Sequence, residues 1–129
     1  MEQNTHTSKK VLVVEDEPGI AKVCVRTLVG EGFQVDVAVN GMIALEMWEK
    51  EQYDLYLSDI RTPEMSGIEL FKKITQKCPE DADRFIFTTG DVLSNNVKEF
   101  FDEIKRPYLS KPFTPDELRA IIKTVVVVG

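Results

Sequence analysis

Five short apolar runs alternate with five helix-period stretches, joined by short connections. This alternation predicts an α/β fold: one parallel five-stranded sheet, covered by helices on both faces and wound by right-handed crossovers. Size agrees, because 129 residues without a repeat or low-complexity linker make one domain, long enough to bury roughly two thirds of its unfolded surface.

Each element has its own justification. Residues 11–14 are four consecutive aliphatics, the pattern of a strand buried on both faces. Ile20, Val23, Cys24 and Leu28 then fall on one side of a helix. A second strand is expected over 35–39, and Ala44, Met47 and Trp48 give the core face of a second helix. Residues 55–57 read as the third strand. The third helix opens on a capping box, "SGIE" at 66–69, and keeps Ile68, Phe71 and Ile74 on one face. After a fourth strand at 85–88, Val97, Phe100, Phe101 and Ile104 fit a fourth helix. A short fifth strand at 108–109 leads to a second capping box, "TPDE" at 114–117, with proline at N1, and to Leu118, Ile121, Ile122 and Val125. The closing "VVVVG" is a poor helix terminus, either a frayed end or a cut through a longer chain. Residues 1–9 are polar and read as a flexible tail, leaving 10–129 as the domain.

Composition excludes several classes. With 43% hydrophobic and 29% charged residues, no apolar run reaches a membrane-spanning length, and the first ten residues lack the apolar core of a signal peptide. The expected location is the cytoplasm. A net charge of −6, with Lys and Arg scattered, disfavours direct binding to nucleic acid. Cys24 and Cys78 lack C-x-x-C spacing and read as reduced, unreactive thiols. The single histidine, His6, lies in the tail, which removes Ser-His-Asp and Cys-His catalysis and most zinc chemistry from the folded body.

In a parallel sheet, ligands bind outside the carboxyl ends of the strands, so the residues just past each strand matter most. The first strand leads into "EDEP", the third into Asp59 in "SDIRTPEMSG", the fourth into "TTGD" and the fifth into "SKP" with Lys111. Asp54 is the internal control, lying at the start of the third strand and about 16 Å from Asp59. Neighbouring carboxylates such as Glu15, Asp16 and Glu17 must splay, protonate or hold a cation. Taken singly, acidic residues at a strand end are often solvated turn residues, and a lone lysine is usually a surface group. Their joint occurrence at successive strand ends argues for a site. An all-oxygen set without histidine or thiolate suits a hard cation such as Mg²⁺, and a phosphoryl ligand would explain Lys111 and the threonines.

The motifs "VVEDEP", "LSDIRTPEMSG", "FTTGD" and "YLSKPF", in this order and spacing, resemble those of the receiver domains of two-component response regulators, over residues 10 to about 128. The resemblance implies a doubly wound, flavodoxin-like sheet of order 2-1-3-4-5, an order the general rules of such folds already associate with a member of this family. It implies a phosphoacceptor signalling domain that is not an enzyme in its own right, beyond assisting its own phosphoryl transfer and autodephosphorylation. Asp59 would take a phosphoryl group from a phosphohistidine on a partner histidine kinase or phosphotransfer protein. Mg²⁺, or Mn²⁺, would be held by Asp16, Asp59 and the backbone carbonyl of Arg61, with Glu15 acting through water. Lys111 would contact the phosphoryl group, and the Lys111–Pro112 bond would suit a cis form. Thr89 matches the switch hydroxyl and Tyr108 the switch aromatic. Phosphorylation would then reshape the face of the fourth helix, fifth strand and fifth helix, where a downstream protein docks. "TTGD" with "RPYLSKPF" looks most like receivers attached to hybrid sensor kinases.

Glu15 stands where the family often has Asp, and Gly90 where it often has Ala. By the same resemblance, Arg61 and Asp91 would occupy positions that in this family tend to tune water access and so the phosphate lifetime. Glu17, beside Pro18, is expected to favour the helix dipole or meet solvent rather than bind the metal. Two alternatives differ in class. A Mg-dependent phosphohydrolase of the haloacid dehalogenase type needs a second Asp two residues beyond the first, where Arg61 stands. A degenerate receiver serving only as a docking module would have lost the Asp or the Lys, and both are present. No G-x-G-x-x-G comes after the first strand, against a dinucleotide-binding module.

Overall fold

A computed structural model describes residues 9–90 and 94–125. Strands and helices alternate: β1 (Lys10–Val14), α1 (Pro18–Gly30), β2 (Gln34–Ala38), α2 (Gly41–Lys50), β3 (Leu55–Asp59), α3 (Gly67–Lys77), β4 (Phe85–Thr89), α4 (Asn95–Ile104), β5 (Tyr108–Ser110) and α5 (Pro115–Val125). All four pairings are parallel, and the strand order is 2-1-3-4-5, as the resemblance implies. A 3₁₀ helix, Pro79–Arg84, which periodicity did not reveal, connects α3 to β4.

Alternation along the strands builds two cores. Val11, Val13, Leu55, Leu57 and Ile86 point to one face and pack with Cys24 and Leu28 of α1 and Leu118 and Ile122 of α5. Leu12, Val14, Tyr56, Phe85 and Phe87 point to the other and pack with α2, α3 and α4. Both faces are covered, which is why these strands are apolar at nearly every position. The second core is aromatic: the Phe71 ring meets Phe85, Phe87 and Phe100 edge-on, at centroid distances of 5.0, 5.6 and 5.7 Å. Such pairs add about 0.5–1.5 kcal/mol each beyond buried area.

Both sequence-read capping boxes form. Ser66 Oγ accepts from the Glu69 N–H while the Glu69 carboxylate accepts from the Ser66 N–H, and Thr114 and Glu117 repeat the exchange. Strand limits shift slightly. β3 and β4 run on to Asp59 and Thr89, because these polar residues stay buried and the ladder continues with Asp59 opposite Thr88. β2 begins at Gln34 and stops at Ala38, leaving Val39 exposed ahead of Asn40, whose side chain caps α2. The tail with His6, the position of Asp91 and the final "VVVG" lie outside the described residues.

Candidate functional site

Parallel pairing brings the carboxyl ends of β1, β3, β4 and β5 to one edge. Asp59 closes β3, and its side chain is 8% exposed. Its Oδ1 accepts the Arg61 N–H at 3.0 Å, so the chain turns back over the carboxylate at once. The turn is held by Thr62 Oγ1, which donates to the Met65 carbonyl at 2.7 Å, and by Met65 N–H, which donates to Pro63 O at 2.7 Å around Glu64 at φ 70°. A three-residue turn with a positive central φ is rare and strained. Gly67 ends the loop: its N–H donates to Ile60 O, and a Cβ there would lie 2.1 Å from the Asp59 carbonyl oxygen. The phosphoacceptor candidate thus sits on a strand end clamped from both sides.

Glu15 comes directly after β1 and is buried; its own N–H donates to Ala38 O, extending the ladder by one bond. Lys111 comes directly after β5, where its N–H donates to Thr89 O at 2.7 Å, and the Lys111–Pro112 bond is cis. From opposite ends of the crevice the two side chains meet. Lys111 Nζ lies 2.6 Å from Asp59 Oδ2, 3.0 Å from Glu15 Oε1 and 3.2 Å from Glu17 Oε1. Burial is the strongest single influence on this ammonium and works against its charge, but the hydrogen bonds and charges of Asp59 and Glu15 together hold it above the ordinary lysine range. Glu15 behaves differently. Burial pushes its carboxyl up, more than Lys111 and the Glu17 N–H draw it down, and the Asp59 charge adds to the rise.

Thr89 ends β4 fully buried, opposite Ser110 in the ladder. Tyr108 stands apart: the residue is 38% exposed, and its ring stacks on Phe101 of α4 at a centroid distance of 4.4 Å. Asp16 is exposed. The carboxylate oxygens that lie within 4.8 Å of one another belong to Glu15, Glu17 and Asp59. Of the residues singled out from the sequence, Asp59, Glu15 and Lys111 therefore make direct contact. Arg61 and Thr89 adjoin them through backbone hydrogen bonds. Glu17 joins from the mouth of α1, a position that its sequence neighbours give no reason to favour, since its reach depends on where a strand some ninety residues later is laid down.

Among the described residues this is a donor set of oxygens alone, two of its three carboxylates buried and all facing a cationic side chain. Hard oxygen donors of this kind fit a small divalent cation, Mg²⁺ in particular. Neither cysteine belongs to the group: burial pushes the Cys24 thiol up to about 12, and Cys78 hydrogen-bonds Glu80.

The family model for the response regulator receiver domain matches residues 11–123. The chain belongs to that family. Receiver domains of two-component systems are phosphoacceptor signalling modules. Among similar proteins, sporulation initiation phosphotransferase F of Bacillus subtilis (strain 168) is 33% identical over 116 residues, covering 90% of this chain and 92% of that one. The probable transcriptional regulator ycf29 of Porphyra purpurea is 32% identical over 119 residues, 92% of this chain and 57% of that protein. The chain spans about half the length of that relative. In structure it resembles the receiver domain of the sensor histidine kinase PA1611 from Pseudomonas aeruginosa, with a magnesium ion coordinated in its active site cleft. That likeness has a TM-score of 0.80 at 27% identity, covering 92% of this chain and 98% of that one. Among the described residues of this receiver, no helix is long and apolar enough to cross a membrane.

Proposed function

We propose that this receiver takes a phosphoryl group onto Asp59 from a phosphohistidine of a partner histidine kinase or histidine phosphotransfer protein, and relays the change by altering a protein-binding face. The contact of Lys111 Nζ with Asp59 Oδ2, 2.6 Å inside a crevice also lined by Glu15, carries this reading. A strand-end carboxylate beside a buried ammonium can attack phosphorus in line while the bond to the donor imidazole nitrogen breaks and its electrons leave with the ring. Lys111 then exchanges a carboxylate partner for a phosphoryl oxygen, neutralising it as a point charge. The Thr89 hydroxyl, buried at the end of β4, offers a donor to another. Bound Mg²⁺, or Mn²⁺, would supply the charge that offsets the crowded oxygens, with Glu15, Asp16, Asp59 and the Arg61 carbonyl as its holders. The acyl phosphate remains open to water, so the domain assists only its own phosphorylation and dephosphorylation and turns over no separate substrate.

The switching face in this reading is α4, β5 and α5. Tyr108 half-exposed on Phe101 is its movable part, and a downstream protein is its reader. The reduced, buried Cys24 and the phosphohistidine donor both suit the cytoplasm.

The test is intact-mass measurement after incubation with Mg²⁺ and a small acyl phosphate. A single added phosphoryl group that disappears in Asp59→Asn supports the assignment. No adduct from either a small donor or a kinase refutes the phosphoacceptor role, and an adduct that survives Asp59→Asn refutes the site.

A further inference from the structure

Glu17 is the carboxylate in the crevice to which phosphoryl transfer assigns no task. It is the N-cap residue of α1, yet its side chain makes no capping bond. Its backbone is tied on both sides: the N–H donates to Glu15 Oε2 at 3.2 Å, and the carbonyl accepts the first helical bond, from Ala21. Pro18 behind it favours the extended conformation it adopts, φ −90° and ψ 113°. From this fixed root the side chain crosses to Lys111, 3.2 Å from Nζ. It is 61% exposed, against 3% for the Glu15 side chain and 8% for that of Asp59.

Lys111 thus has two buried acceptors and one at the rim. A divalent cation and an ammonium compete for the two buried carboxylates, because like charges a few ångströms apart in a partly dry crevice repel by several times the thermal energy. A cation taken up by Asp59 and Glu15 displaces Lys111, and of its three carboxylate partners only Glu17 is left to receive it. Resting on the reading above, we infer that Glu17 is a positioning residue for Lys111: it keeps the ammonium at the rim while a cation holds Asp59, within reach of an arriving phosphoryl oxygen.

A double-substitution cycle tests this, with Mg²⁺ affinity measured calorimetrically at fixed ionic strength for the wild-type chain, Glu17→Gln, Lys111→Met and both together. Lys111→Met should bind Mg²⁺ more tightly, since the competing charge is gone. Glu17→Gln should weaken binding about three- to fivefold in the Lys111 background, the size of a partly exposed ion pair. In the Lys111→Met background that effect should be at least threefold smaller. Equal or larger effects in that background, the behaviour of a carboxylate acting on the ion by charge alone, overturn the proposal, as does the absence of any effect with Lys111 in place. Circular dichroism checks folding, and Lys111→Gln replaces Lys111→Met should the latter misfold. Adduct formation on the wild-type chain, run alongside, separates the two ideas. If Asp59 takes the phosphoryl group and the cycle shows no coupling, only the Glu17 role falls.

Discussion

Gly67→Ala is a substitution that would ordinarily stabilise a helix. Replacing glycine by alanine where the backbone is not left-handed typically gains about 0.4–1 kcal/mol, chiefly by restricting the unfolded chain. At this position the sign should reverse. The new Cβ would lie 2.1 Å from the Asp59 carbonyl oxygen, 2.9 Å from Ser58 Oγ and 3.0 Å from the Asp59 carbonyl carbon, where ordinary contact begins at 3.4 Å. The first turn of α3 must retreat from β3 by roughly 1 Å, since the nearest atom is the backbone carbonyl oxygen of Asp59, which cannot swing aside as a flexible side chain would. That movement stretches the 3.1 Å bond from the Gly67 N–H to Ile60 O. Overpacking costs about 1–3 kcal/mol and a lost hydrogen bond about 0.5–1.5, so after the unfolded-chain gain the net destabilisation should be about 0.5–4 kcal/mol. Urea denaturation with an unchanged slope should show it, along with a Tm lower by about 10 °C. Because the displaced atoms belong to Asp59 itself, phosphorylation should slow by about a hundredfold, the usual effect of a 1 Å misplacement. A variant as stable as the wild type, phosphorylated at the wild-type rate, would refute the close approach of α3 to β3 and the clamp on Asp59 that depends on it.

The same substitution at Gly90 should be harmless, because a Cβ there meets nothing closer than Lys111 Cδ at 3.6 Å; a loss above about 1 kcal/mol in urea would contradict this. Glu15 should show its burial through pH in metal-free buffer. A carboxyl raised above its ordinary 4.5 contributes stability that is fully present below that value and lost as pH rises through the raised one. Glu15→Gln should therefore gain on the wild type as pH rises above 4.5, and a gap in urea midpoints that does not widen with rising pH would be evidence against it. Asp81 is buried and accepts from Trp48 Nε1 at 2.9 Å and Arg84 at 2.8 Å. Asp81→Ala should cost about 2 kcal/mol and shift the tryptophan emission, and a cost below about 0.5 would mean the indole finds water instead. Asp16→Asn should abolish Mg²⁺-dependent phosphorylation while leaving metal-free stability unchanged or higher; an undiminished adduct would remove Asp16 from the cation site.

Much of this was legible because the signals are local. Capping boxes name their own helix starts, burial on both faces reads directly from residues 11–14, and the distinction between Asp54 and Asp59 needs only the rise of a strand. The structure agrees, for Asp54 accepts the Lys10 N–H at the start of the sheet, far from the crevice. What escaped depends on tertiary placement. "PEDADR" carries no helical periodicity, yet folds as a 3₁₀ helix that buries Asp81, because α2 and β3 deliver Trp48 and Tyr56 to the same spot. Glu17 looks like a helix-dipole residue until β5 brings Lys111 within 3.2 Å. No spacing in a sequence encodes a contact between the first helix cap and the last strand end. The exposure of Asp16 is similarly set by the turn out of β1 rather than by its neighbours in sequence.

The hydrogen bond between Trp48 and Asp81 has a practical corollary. Trp48 is the single tryptophan, placed where α2 ends and β3 and β4 begin, at the amino edge of the sheet and across the domain from the acidic crevice. Its emission should register the loss of the whole fold and stay silent to a cation or phosphoryl mimic added under native conditions. Added during urea unfolding, the same ligands would reveal themselves as a displaced midpoint, about 2.7 kcal/mol at a hundredfold excess over Kd. One intrinsic chromophore then serves as a gauge of affinity for ligands that never come near it.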